Sequence, residues 1–153
     1  MRRMPRLLPV ALTLGLLALP FQYGAGDIDP KAVEFTTPDK IKWVRNEAGT
    51  NEQAILFGDP TKEGPYVVRL KWLPGNMSRP HYHMNDRFFI VISGTWWLGT
   101  GDTFDPASTV PAPAGSYVIH KAGQIHYDGA KDGEAIIQVW GMGPATSIPA
   151  ERR

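Results

Sequence analysis

Two of the four histidines in this chain, His81 and His83, are separated by one residue inside the stretch Gly75-Asn76-Met77-Ser78-Arg79-Pro80-His81-Tyr82-His83. On a β-strand, residues i and i+2 project from the same face, so both imidazoles would point at one spot. Two neutral imidazoles aimed at one point are the usual start of a transition-metal site. The remaining ligands would be His, carboxylate, amide or water, because the chain has no cysteine. That absence excludes Cys-based zinc fingers, iron–sulfur clusters, thiol nucleophiles and disulfide scaffolds. No patch of Lys and Arg clusters along one face or interleaves with aromatics, so no nucleic-acid partner is expected.

The elements that would position these histidines are short. With 153 residues the chain fits one domain able to bury a hydrophobic core, and 16 Gly and 14 Pro punctuate it in a way that suits strands better than long helices. Residues 1–26 read as a secretory signal peptide. Arg2, Arg3 and Arg6 precede an apolar run from Leu7 to Phe21, followed by small residues at Gly24, Ala25 and Gly26, with cleavage after Ala25 or Gly26. The run falls short of the ~20 residues of a spanning helix. The mature chain is therefore expected to be periplasmic or secreted, with no stable membrane anchor. Of the 16 Lys and Arg, loss of these three leaves 13 against 15 Asp and Glu, a net charge of −2.

Residues 27–40 read as an extended N-terminal arm, 41–145 as the β domain and 146–153 as a C-terminal tail. Strands are expected at Ile41–Val44, Gln53–Phe57, Tyr66–Leu73, Arg87–Ser93, Thr95–Leu98, Tyr117–His120, Ile125–Tyr127 and Ala135–Trp140, with a hairpin turn at Gly94 and a rim loop over Thr100–Ala114. Turn signals every ~8–12 residues and the lack of any sustained helical period predict an all-β sandwich or barrel. In Thr95–Leu98 the consecutive Trp96 and Trp97 should face opposite sides, one into the core.

These landmarks resemble the cupin superfamily. The first motif of that family corresponds to Gly75, His81-Tyr82-His83, Arg87 and Gly94, with every landmark in place except the acid, where Arg87 stands. The second corresponds to Gly115, Lys121-Ala122-Gly123, His126 and Ala130, with the family's Pro and Asn replaced. The resemblance covers roughly Tyr66 to Trp140 and implies a single-domain jelly-roll β-barrel. It further implies that His81, His83 and His126 hold a divalent transition metal, copper, iron or manganese, with zinc also suited, and that the chain forms a homodimer.

Arg87 complicates that ligand set, because a guanidinium stays protonated and opposes a divalent ion. Three outcomes stay open. The centre could use three histidines alone, with Arg87 turned aside to bind a substrate carboxylate. It could recruit Gln138, or Asp86 through a bulge. Or it could hold no metal, Arg87 itself serving as the positive centre for an anionic ligand. His120 ends a strand and reads as a surface residue, a neighbour of the ligands or a proton donor; Tyr127 is a second candidate for proton transfer. The leading expectation is an exported metal-dependent oxidoreductase acting on a small organic or carbohydrate substrate. A metal-assisted isomerase or lyase and a non-catalytic small-molecule binder are the alternatives.

Overall fold

The computed structural model describes residues 26–152, so the expected leader lies outside the described residues apart from Gly26. The chain divides into two compact units, Met1–Phe35 and Thr36–Arg153. In the first, the described residues are exposed and centre on a turn in which Asp29 Oδ1 accepts from the Lys31 amide at 2.9 Å and the Asp29 carbonyl from the Ala32 amide at 3.0 Å. Among the described residues no helix is long and apolar enough to cross a membrane.

The second unit carries eleven strands: β1 (Val44–Arg45), β2 (Asn51–Phe57), β3 (Gly64–Trp72), β4 (His81–Tyr82), β5 (Arg87–Ser93), β6 (Thr95–Thr100), β7 (Val110–Pro113), β8 (Tyr117–His120), β9 (His126–Gly129), β10 (Ala135–Gly143) and β11 (Ile148–Pro149). They form two antiparallel sheets, ordered β1-β2-β3-β10-β5-β8 and β11-β4-β9-β6-β7. This is the jelly roll expected from the sequence. Alternation along each strand supplies the core: Tyr66, Val68 and Trp72 from β3, Phe89 and Val91 from β5, Ala135, Ile137 and Val139 from β10, and Trp96 from β6 are all buried. Trp96 is fully enclosed, whereas Trp97 faces the other way beneath the Lys131 ammonium. Gly94 makes the expected turn between β5 and β6 with φ +72°, and a Cβ there would overlap the Glu134 carbonyl.

Three expectations are corrected. The rim loop over Thr100–Ala114 contains a 3-10 turn at Pro106–Ser108 and then β7, which pairs with β6 from Thr95↔Pro113 to Leu98↔Val110. The tail contains β11, which pairs with β4 through Ile148↔Tyr82 and Pro149↔His81. Both are edge strands, where a proline's missing N–H can face solvent, so Pro111, Pro113 and Pro149 look like breakers without acting as such. The first strand is also displaced, to Val44–Arg45 rather than Ile41–Val44.

Candidate metal centre

The pairing of β4 with β9 sets His81 opposite His126, and His83 follows directly after β4. Each of the three rings has its Nδ1 against a backbone carbonyl oxygen: His81 on Arg79 at 2.7 Å, His126 on Gln124 at 2.9 Å, His83 on Thr146 at 2.7 Å. A carbonyl only accepts, so each Nδ1 carries the proton and each Nε2 is left with its lone pair. His83 Nε2 and His126 Nε2 stand 3.2 Å apart. With both Nδ1 atoms protonated, that approach sets two lone pairs face to face, an arrangement a shared cation would satisfy. One ligand atom from each of His81, His83 and His126 lies within 4.8 Å of the others. Burial pushes His83 down to about 3, helped by the Arg87 charge, and His126 down to about 4, so both are neutral ligands near pH 7.

His120 is not a surface residue. It is buried at the end of β8, its ring centroid 3.8 Å from that of His126, and burial pushes it down to about 2. Its Nδ1 is enclosed without a hydrogen-bond partner. Asp128, two residues past His126 on the same face of β9, completes a second group with His120 and His126, also within 4.8 Å. Its Oδ1 accepts from Trp96 Nε1 at 3.0 Å, and burial raises its pKa. Asp128 lies one residue beyond the strand expected at Ile125–Tyr127, although the i, i+2 rule that singles out His81 and His83 also marks His126-Tyr127-Asp128.

Arg87 points inward with Phe89 and Val91, its Cα paired with that of His120 across β5 and β8. Its Nη2 donates to the Thr146 carbonyl at 2.7 Å, the same oxygen that holds His83. Three other candidates are placed elsewhere. Asp86 Oδ1 accepts from the Ala122 amide at 2.7 Å, with no bulge turning it to the histidines. Gln138 lies on the face of β10 opposite the buried Ile137 and Val139 and accepts from Arg69 Nε at 3.1 Å, so the alternation removes it as a ligand. Tyr127 alternates away from His126 and Asp128. Its hydroxyl donates to the Asp105 carbonyl at 3.0 Å and touches Ser108 Oγ, leaving it no access to the centre.

The histidines open on a cavity of about 330 Å³, whose wall includes His81, His83, His120, Arg87 and Asp128 with apolar cover from Leu70, Trp72, Phe89 and Ile137. That is the lower end of small-ligand sites.

The family model of the ChrR cupin-like domain matches residues 31–145. No curated protein matches the sequence. Among solved structures, the polyketide cyclase RemF from Streptomyces resistomycificus superposes with a TM-score of 0.65 at 14% identity, covering 79% of this chain and 87% of that one. A protein with a double-stranded β-helix domain from Klebsiella pneumoniae gives 0.59 at 23% identity over 78% of this chain and 99% of that one. KdgF from Halomonas gives 0.55 at 16% over 78% and 96%. At such identities the likeness is one of fold.

Proposed function

Because this chain belongs to the cupin superfamily, through its ChrR cupin-like domain, we propose that it binds a divalent metal with His81, His83 and His126 and acts on a small molecule held in the adjoining cavity. The observation that carries this reading is the set of three Nδ1–carbonyl contacts, which leaves the three Nε2 atoms to a shared ion in a group whose ligand atoms lie within 4.8 Å of one another. A metal bound there would supply Lewis-acid polarisation of a substrate oxygen. The protein's own part is to fix the three imidazoles, exclude water with Leu70, Phe89 and Ile137, and set the buried Asp128 carboxyl, its pKa raised by burial, beside His126. Asp128 replaces Tyr127 as the proton-transfer group, and this favours the isomerase or lyase type of reaction. Structural neighbours that include a polyketide cyclase and a sugar phosphate isomerase are in keeping with non-oxidative chemistry.

The oxidative reading rests on a different feature, the all-nitrogen donor set, which suits copper or iron. Turnover by zinc-loaded protein without oxygen supports the first reading; oxygen consumption that requires copper or iron supports the second. Export to the periplasm or beyond is part of the proposal, supported by the basic and apolar pattern of the leader. A homodimer is supported by the exposed Ile90, Ile92, Tyr117 and Ile119 on the outer face of the six-stranded sheet.

Elemental analysis of the purified protein tests the central claim. About one transition-metal ion per chain is expected, falling below about a tenth in His83→Ala that retains its β-sheet circular dichroism. Metal content unchanged by His83→Ala would overturn the assignment.

A further inference from the structure

Arg87 is a half-buried cation with no anion of its own. Among the described residues no carboxylate forms an ion pair with it, and its one hydrogen bond runs from Nη2 to a neutral carbonyl. A guanidinium has five N–H donors in a planar fork, and drawing it partly out of water without a counter-ion is costly. The nearby acids are engaged elsewhere, Asp86 with the Ala122 amide and Asp128 with the Trp96 indole.

Two cavities meet at this residue. Gln53, Leu70, Arg87, Phe89 and Ser147 line both the 330 Å³ space beside the histidines and a second space of about 360 Å³. The second is also lined by Tyr66, a residue only 2% exposed whose hydroxyl has no hydrogen-bond partner. A forked cation, an amide and an unpartnered hydroxyl thus share a space with an apolar wall of Leu70, Phe89, Val68 and Val139. The donors suit a planar oxyanion, and the apolar wall suits an organic body attached to it.

We propose that Arg87 is the anchor of a carboxylate-binding subsite, so that the substrate is a small organic carboxylate whose acid group sits on the guanidinium while its body reaches toward the histidines. The proposal deepens the metal-centre reading, since it names the substrate class of the same cavity, but the subsite itself needs no metal. Imidazole ligands bring no negative charge and the guanidinium has no counter-ion, so the pocket is positive once a divalent ion is present, and an anionic substrate offsets part of that charge.

Isothermal titration of the full chain with benzoate, benzamide and phenyl phosphate at neutral pH tests this, using wild type, chelator-treated wild type, Arg87→Gln and Arg87→Lys. Benzoate should bind the unaltered chain at least roughly tenfold more tightly than the isosteric benzamide. Arg87→Gln should lose about that factor, and Arg87→Lys less of it, because the charge survives while the fork does not. Chelator-treated wild type should keep the preference for benzoate. Equal binding of benzoate and benzamide overturns the proposal, as does tighter binding of phenyl phosphate than benzoate, or Arg87→Gln that binds benzoate like wild type. The benzoate and benzamide comparison is read on the unaltered chain, so a variant that fails to fold leaves the test standing. Benzoate selectivity in a chain that binds no metal would sink the metal reading alone; a metal-replete chain without selectivity would sink only the carboxylate.

Discussion

At His83 two donors meet one oxygen: its own Nδ1 and the Arg87 guanidinium both bond the Thr146 carbonyl, occupying its two lone pairs. Turning the ring would break its bond to the oxygen that also holds the cation. Burial keeps His83, His120 and His126 neutral, far below the ordinary histidine value of 6.5. An unfolded chain takes up protons below about pH 6.5 that these residues refuse when folded, so stability is full above that pH and falls as the pH drops toward 4. For metal-free protein, urea unfolding at pH 5 should show a loss of roughly 1 kcal/mol or more per buried histidine relative to pH 7.5. Asp128, raised by burial, acts in the opposite sense and blunts the fall. A midpoint that does not move between these two pH values would contradict neutral burial. Much of this scale was legible: spacing alone aimed His81 and His83 together, and the motif resemblance brought His126. The depth of His120 was not, because a strand-end histidine before a turn carries no sequence sign of which sheet face it will occupy.

Among the elements, β11 and the residues around it do more for the centre than their length suggests. The Ala145 amide bonds the Pro60 carbonyl at 2.6 Å and the Ala150 amide the Pro80 carbonyl at 2.9 Å, while Arg79 Nε donates to Glu151 Oε2 at 2.9 Å. The Arg79–Glu151 and Asp102–Arg152 pairs are exposed, so each adds only about 0–1 kcal/mol to stability. Their effect is positional, since they hold down the segment that presents the Thr146 carbonyl. That group belongs to the backbone, so Thr146→Ala should leave it in place. Deleting residues 146–152 should instead weaken zinc binding by roughly 10–100-fold, the usual cost of losing a partner that orients a ligand, measured by competition with a chromophoric chelator. Unchanged affinity would remove the segment from the account. Two-residue edge strands of this kind stay below what alternation can reveal, whereas β5 and β10 have enough β-branched and aromatic residues to declare themselves.

Across the whole molecule the centre straddles both sheets. His81 and His126 come from the five-stranded sheet, Arg87 and His120 from the six-stranded one. A metal held on one side and a ligand drawn to Arg87 on the other would tie the two layers together, and binding to the folded state alone raises its stability. At a free zinc concentration about a thousandfold above Kd, the gain is about 4 kcal/mol. Calorimetry should then place the melting temperature of zinc-loaded protein roughly 10–20 °C above that of chelator-treated protein. A shift under about 2 °C would mean that the histidines bind too weakly to matter for the fold. The carbonyl that finishes the site has a further consequence in time. Thr146 lies 20 residues beyond His126, so the segment that carries it must dock before His83 and Arg87 are both held. A metal ion met before β11 docks would be chosen by intrinsic ligand preference, in which copper outcompetes its neighbours, and an ion met afterwards by the shape of the finished pocket. The place of loading would therefore bear on which metal the chain takes up.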